Sequence, residues 1–155
     1  MKKYGILGII FGLFLCVSFS GCGEAQVSEH DLKDGYYTAE MKDYNHGWKE
    51  FVTICVMDNK IVSVEYNARN AAGFIKSWDS AYMRKMNPVM GIYPNRYTRT
   101  YAAQFLEKQN AEDIDLLTGA TSSGRNFQKL AMAVLDHAKT GDTQIEEVAG
   151  ETEQE

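Results

Sequence analysis

Hydrophobic and polar positions change their spacing several times along the chain, and each change predicts a different element. Tyr4 to Phe19 is an apolar run without a charge. Asp34-Gly35 is a turn signal leading into YYTAEM, which reads as a strand. In FVTICVM, Val52, Ile54 and Val56 alternate with residues 51, 53, 55 and 57, and this β-branched set is the predicted buried face. Asp58 and Asn59 both tolerate positive φ and predict a hairpin turn into a second strand, KIVSVEY. From Ile75 the period lengthens, because Ile75, Trp78, Tyr82 and Met86 fall 3, 4 and 4 residues apart on one helical face. Asn87-Pro88 is the expected end of that helix. A second helix is expected from near Pro94 to Gln109, with Tyr97, Tyr101, Phe105 and Leu106 turned inward. A third opens near Ser122 or Ser123 and aligns Phe127, Leu130, Ala131, Val134, Leu135 and Ala138, with Gly141 as its stop. Strands followed by helices imply a single α+β domain built on a mostly antiparallel sheet.

The ends of the chain place the protein in the cell. Lys2 and Lys3 precede the apolar run, which is shorter than the roughly 20 residues of a membrane span. Ser20-Gly21-Cys22 follows, and the whole pattern resembles a bacterial lipoprotein signal. That resemblance implies a signal peptide over residues 1–21 and lipidation of Cys22, which anchors the mature chain to the lipid bilayer. An uncleaved anchor helix is the alternative. Both readings put the protein outside the cytoplasm, tethered to the cell membrane. Residues 22–33 then form a linker, 34–141 the folded domain, and 142–155 an acidic, solvated tail.

Composition narrows the chemistry. Of three cysteines, Cys16 lies in the apolar run and Cys22 is the lipid site, which leaves Cys55. The mature chain therefore has no intramolecular disulfide, cysteine cluster or dithiol redox centre of its own. The three histidines are widely spaced and predict no metal site. A net charge of −5 argues against nucleic acid as a partner.

The densest chemical signal is DIDLLTGATSSGRN, residues 113–126. Gly119 to Asn126 has the glycine spacing of a nucleotide-binding P-loop, but Arg125 and Asn126 stand where the phosphate-binding lysine and the magnesium-binding hydroxyl belong. That reading fails. Asp115 to Thr121 instead has the form D-x-x-[ST]-G-A-T, which resembles the flavinylation motif of the FMN-binding domain family. That family includes subunits of sodium-pumping NADH:quinone oxidoreductases and many small exported lipoproteins. DGYYTAEM, HGWK and DNKIVSVEY are similar to its short lipoprotein branch. The resemblance implies that a separate flavin transferase splits FAD and leaves FMN on Thr121 as a phosphoester. It further implies that the transferase reads Asp115 and that Thr118, Gly119 and Ala120 complete the motif. Asn70-Ala71-Ala72-Gly73-Phe74 stands where larger members carry a Pro/Gly-rich loop near the ring, which makes Gly73 a candidate contact.

Elementary chemistry supports a phosphate at this position. A helix opening near Ser122 presents unpaired N–H groups and a partial positive charge toward Thr121. Gly119 and Ala120 allow close backbone approach to a bulky group, and the Ser122 and Ser123 hydroxyls are further donors. Simple capping by Thr121 or Ser122 is the competing explanation. Trp48 either stacks on the flavin ring or packs at the end of a strand. His46 is a candidate partner for a flavin oxygen, while Trp78 and Tyr82 are assigned to the core. No residue set resembles a substrate site, so an electron carrier exchanging electrons with membrane redox proteins is expected rather than an enzyme with its own substrate. A lipid-anchored binding module without flavin is the rival.

Overall fold

The computed structural model describes residues 31–150; the expected signal peptide, Cys22 and most of the expected linker lie outside the described residues. Strands β1 (Gly35–Met41), β2 (Lys49–Met57) and β3 (Lys60–Arg69) form an antiparallel meander. Asp58 and Asn59 take φ of 51° and 61°, the double positive geometry that suits a two-residue hairpin. A short 3-10 turn (Lys76–Trp78) leads into α1 (Ser80–Met90), followed by α2 (Pro94–Lys108) and α3 (Thr121–Thr140). A last short strand, β4 (Glu146–Val148), pairs parallel with β1, so the sheet order is β3-β2-β1-β4. The architecture is α+β, as the order of elements predicts.

Helix α2 lies over β3, and α3 lies over β1 and β2, all on one face of the sheet. Val52, Ile54 and Val56 point into that layer and are fully buried. Tyr97, Tyr101, Phe105, Phe127, Leu130, Ala131, Val134 and Ala138 meet them from the helices. Tyr66, Tyr101 and Phe127 form the aromatic centre, with ring centroids 4.7 Å apart for Tyr66–Phe127 and 5.6 Å for Tyr101–Phe127. The opposite face is polar, carrying a Thr38–Thr53 hydroxyl pair at 2.8 Å and a buried Glu40 carboxylate bonded to Lys49 and Arg69. Among the described residues, no helix is long and apolar enough to cross a membrane.

Four expectations are corrected. The first helix does not run as one period from Ile75. Ser77 is pinned to Asn67 by a 2.8 Å hydrogen bond, the chain makes a 3-10 turn, and the helix restarts where the Asp79 carboxylate accepts from Tyr82 N–H at 2.9 Å. Trp78 is consequently 70% exposed, and Tyr82 is only half-buried. The helix also continues past Pro88 and ends at Gly91 in the left-handed conformation. Proline so near the C-terminus removes a single intrahelical bond, which a glycine cap closing on Asn87 offsets. Leu106 is 39% exposed, because one residue beyond Phe105 turns about 100° away from the buried stripe. Finally, the acidic segment is not all solvated tail. Residues 146–148 join the sheet, held by His137–Glu146 at 2.8 Å and Lys49–Glu147 at 3.3 Å.

Gly124, in the first turn of α3, is the tightest contact beneath the site. A Cβ there would lie 2.4 Å from the Tyr101 hydroxyl and 2.7 Å from Leu116 Cδ2. Tyr101 cannot yield, being fully buried and bonded at its hydroxyl. Gly124→Ala is therefore expected to destabilise the domain by about 1–3 kcal/mol of overpacking, despite alanine's better helix propensity. Urea unfolding of the two proteins checks this, and a more stable variant would refute the packing argument.

Candidate functional site

Strand β2, the 3-10 turn, all three helices and the loops before β2 and α3 enclose a cleft of about 510 Å³ beside the start of α3. Its lining includes Trp48, Glu50, Lys76, Tyr82, Met86, Met90 and the run Gly119–Ser123. The loop before α3 is held by the Tyr101 hydroxyl, which accepts from Leu117 N–H at 2.9 Å and donates to the Ala120 carbonyl at 3.0 Å. This pair of hydrogen bonds to one side chain delivers Thr121 to the rim of the cleft.

Helix α3 begins at Thr121, with Ala120 at the N-cap and no side chain capping the end. The capping explanation for Thr121 and Ser122 is thus overturned. The Thr121 hydroxyl is exposed and makes only a long 3.5 Å bond to the Leu117 carbonyl. Ser122 also faces the cleft, whereas the Ser123 hydroxyl is spent as a donor to Glu50 Oε1 at 2.7 Å. Gly119 lines the cleft with φ of 83°, but the neighbour that demands glycine is α1. A Cβ at 119 would stand 2.5 Å from the Met90 carbonyl oxygen. The expected close approach exists, and protein backbone occupies it.

Asp115 and Thr118 are not brought into the cleft. The Asp115 carboxylate is 82% exposed on the outer surface of the loop, 2.8 Å from Lys108 Nζ. Its backbone is tied to Gln104 in both directions, at 2.8 and 3.2 Å. Thr118 is likewise exposed. Gly73 is also elsewhere, in a turn closed on itself by Asn70, whose side-chain oxygen accepts from Ala72 and Phe74 N–H groups. Its positive φ of 80° serves that turn.

Trp48 and His46 do reach the cleft. Asn45 and Trp48 exchange two backbone hydrogen bonds of 2.8 and 2.9 Å across His46-Gly47, and this tight turn sets Trp48 at the entrance of β2. Trp48 is half-buried, with its ring 6.3 Å from that of Tyr82. Tyr82, assigned to the core from its spacing, instead forms an aromatic wall with it.

Glu50 and Lys76 are site residues that sequence reasoning missed. Glu50 is only 8% exposed and accepts from Ser123 Oγ and from Asn126 Nδ2, the latter at 2.8 Å. Those partners lie 73 and 76 residues away, so no local pattern signals them. Lys76 places its ammonium 5.2 Å from the Tyr82 ring centroid and 6.0 Å from that of Trp48. Burial pushes this ammonium below its ordinary range, partly countered by Glu50. Among the described residues, no group of three or more His, Cys, Asp and Glu side chains is placed to hold a metal.

The fold and site define a small α+β domain whose cleft opens at the start of α3, the longest helix among the described residues. The chain is 35% identical to the 15 kDa lipoprotein of Treponema pallidum (strain Nichols) over 133 residues, which are 85% of this chain and 91% of that protein. It belongs to the family of that lipoprotein. It is also similar to the crystal structure of the CPE2226 protein from Clostridium perfringens, with a TM-score of 0.74 and 42% identity across 77% of this chain and 99% of that one. No protein-family profile matches the chain.

Tyr66 and Tyr97 are buried behind the cleft, and both hydroxyls are pushed above the ordinary tyrosine range, first by burial and then by Glu50. Tyr101 is raised as well, mainly by burial. Such groups stay protonated in the fold after the unfolded chain has begun to ionise, so stability falls as pH rises past about 10. Lys76 acts with the opposite sign: its lowered value makes stability rise until the ordinary lysine range is reached. Above that range the lysine contribution no longer grows, and the tyrosines set the direction. Alkaline titration followed by phenolate absorbance and circular dichroism should therefore show a class of tyrosines ionising only as the fold is lost. Complete ionisation with native dichroism would contradict this assignment.

Proposed function

We propose that the protein is an exported, lipid-anchored flavoprotein carrying FMN through a phosphoester on Thr121, and that it acts in electron transfer at the outer face of the cytoplasmic membrane. The observation that carries this reading is the Thr121 hydroxyl. It is exposed, free of any capping duty, and stands at a helix start on the rim of a partly aromatic cleft. The unpaired N–H groups of that first turn and the helix dipole suit a phosphodiester. The cleft has the size of a small-molecule site. Trp48 and Tyr82 offer faces to a planar ring, with the apolar Met86 and Met90 beside them. These residues fit FMN, with Thr121 as its attachment and Ser122 as a donor.

When bound, the cofactor supplies the electron-transfer chemistry, and the protein supplies attachment, orientation and a partly dry surrounding. A covalent link suits a protein outside the cell, where a dissociated flavin is lost by dilution. The exposed Asp115 is accessible to a flavin transferase, which supports a recognition role for it. The lipoprotein character of the Treponema relative supports lipidation of Cys22 and the extracytoplasmic location. Membrane redox proteins are the partners this reading implies.

Coexpression with a flavin transferase and intact-mass measurement test the attachment. The expected result is one FMN increment that survives denaturation and is lost in Thr121→Ala. That variant should cost under about 0.5 kcal/mol, because the side chain is exposed and caps nothing. An increment retained in the variant would move the attachment elsewhere; none on the native protein would favour the flavin-free binding module.

Cys22→Ala should release the protein into the soluble fraction, since the acyl chains that anchor it are added at that thiol. A variant that still sediments with membranes after a carbonate wash would favour an uncleaved anchor helix.

A further inference from the structure

Lys76 carries a charge that the cleft answers only at a distance, through the field of Glu50. Its ammonium makes no hydrogen bond or close ion pair among the described residues and rests instead near the Trp48 and Tyr82 rings. The nearby carboxylate, Glu50, has both oxygens committed to α3 through Ser123 and Asn126. A cation held in this way, half out of water, is a receptor for negative charge arriving with a guest.

We propose that Lys76 compensates the negative charge the flavin ring gains on reduction, and so raises the ring's reduction potential. The inference rests on the flavin reading above and deepens it. Two features direct the lysine to the ring rather than the phosphate. The phosphate, if on Thr121, already faces the open N–H groups of α3. Lys76 comes from the 3-10 turn and stands at the aromatic wall, where a planar ring stacks. Uptake of two electrons and one proton leaves the ring with one net negative charge; the electrons come from a reduced carrier protein or, in the test, from dithionite. Burial of the ammonium strengthens the pairing, because the surroundings screen it less than water does.

The test uses the full-length chain coexpressed with a flavin transferase, as native protein, Lys76→Met and Lys76→Arg. Intact mass first establishes that each carries FMN. In Lys76→Met the reduced form should become about tenfold less favoured, a drop of about 30 mV for a two-electron couple. Lys76→Arg should recover most of that shift. A loaded Lys76→Met with an unchanged potential, or equal shifts in both variants, would overturn the proposal. A second measurement does not need attachment: Thr121→Ala and Thr121→Ala/Lys76→Met proteins are titrated with riboflavin, oxidised and dithionite-reduced. Loss of Lys76 should weaken binding of the reduced form about tenfold and leave the oxidised form alike. An effect seen with free FMN but absent with riboflavin would assign Lys76 to the phosphate and defeat the inference. A native protein without FMN would instead defeat the covalent reading, and if reduced riboflavin also fails to bind, the role of Lys76 falls with it.

Discussion

The Tyr101 hydroxyl holds the loop between α2 and α3 on which the site depends. It sits at the end of a fully buried ring, stacked on Phe127, and joins Leu117 N–H to the Ala120 carbonyl. Each such bond contributes only about 1 kcal/mol net, but leaving either buried group unpaired costs more. The ring also occupies the volume under Gly124, so the first turn of α3 can settle only where no side chain intrudes. Residues 117 to 124 therefore approach the cleft in one register. The position of Thr121 is a consequence of aromatic packing in the core, several residues away from any chemistry.

A second constraint ties the sheet to the same helix. Glu50 ends up buried because β2 carries it under the start of α3, where Ser123 and Asn126 satisfy it. A buried carboxylate is costly unless paired or fully hydrogen-bonded. Here its donors are neutral, so its charge remains felt in the cleft: it contributes to raising Tyr66 and Tyr97 and to keeping Lys76 charged. The fold thus lines the cleft with one fixed negative charge, Glu50, and one less committed positive charge, Lys76. An anionic guest is attracted by Lys76 and repelled by Glu50, so it is steered to the lysine's side of the cleft.

Local periodicity carries well where one side of an element faces the core. The alternation of Val52, Ile54 and Val56 and the stripe from Phe127 to Ala138 are both realised, since each faces a continuous apolar layer. It fails for Trp78 and Tyr82, where the Asn67–Ser77 bond interrupts the chain and resets the helical phase at Asp79. The Asp79 side chain is a readable N-cap signal that outranks the preceding spacing. β4 is hidden because a three-residue parallel pairing shows no alternation and depends on α3 to return the chain to β1. At the site, the motif locates the loop and Thr121 but not Glu50 or Lys76, whose roles arise from contacts across the fold. Gly119 shows the limit most sharply. A glycine in a flavin-like motif suggests room for a cofactor, yet the Met90 carbonyl explains it without one.

That contact also reveals which wall of the cleft is soft. Helix α1 has no fully buried residue and packs mainly against the preceding 3-10 turn, with Gly119 beneath its final carbonyls. Tyr82, Met86 and Met90 turn their side chains toward the cleft rather than into a core. Methionine adapts its shape at low cost, so such a wall can close on a guest without displacing rigid neighbours. The opposite wall, from Ala120 into α3, is locked by Tyr101 and Glu50. A guest attached at Thr121 would therefore be fixed at its rigid end and would meet an adjustable surface at the other. Binding there would bury α1 side chains that are partly exposed in the domain, and ligand occupancy would stabilise this helix more than any other element.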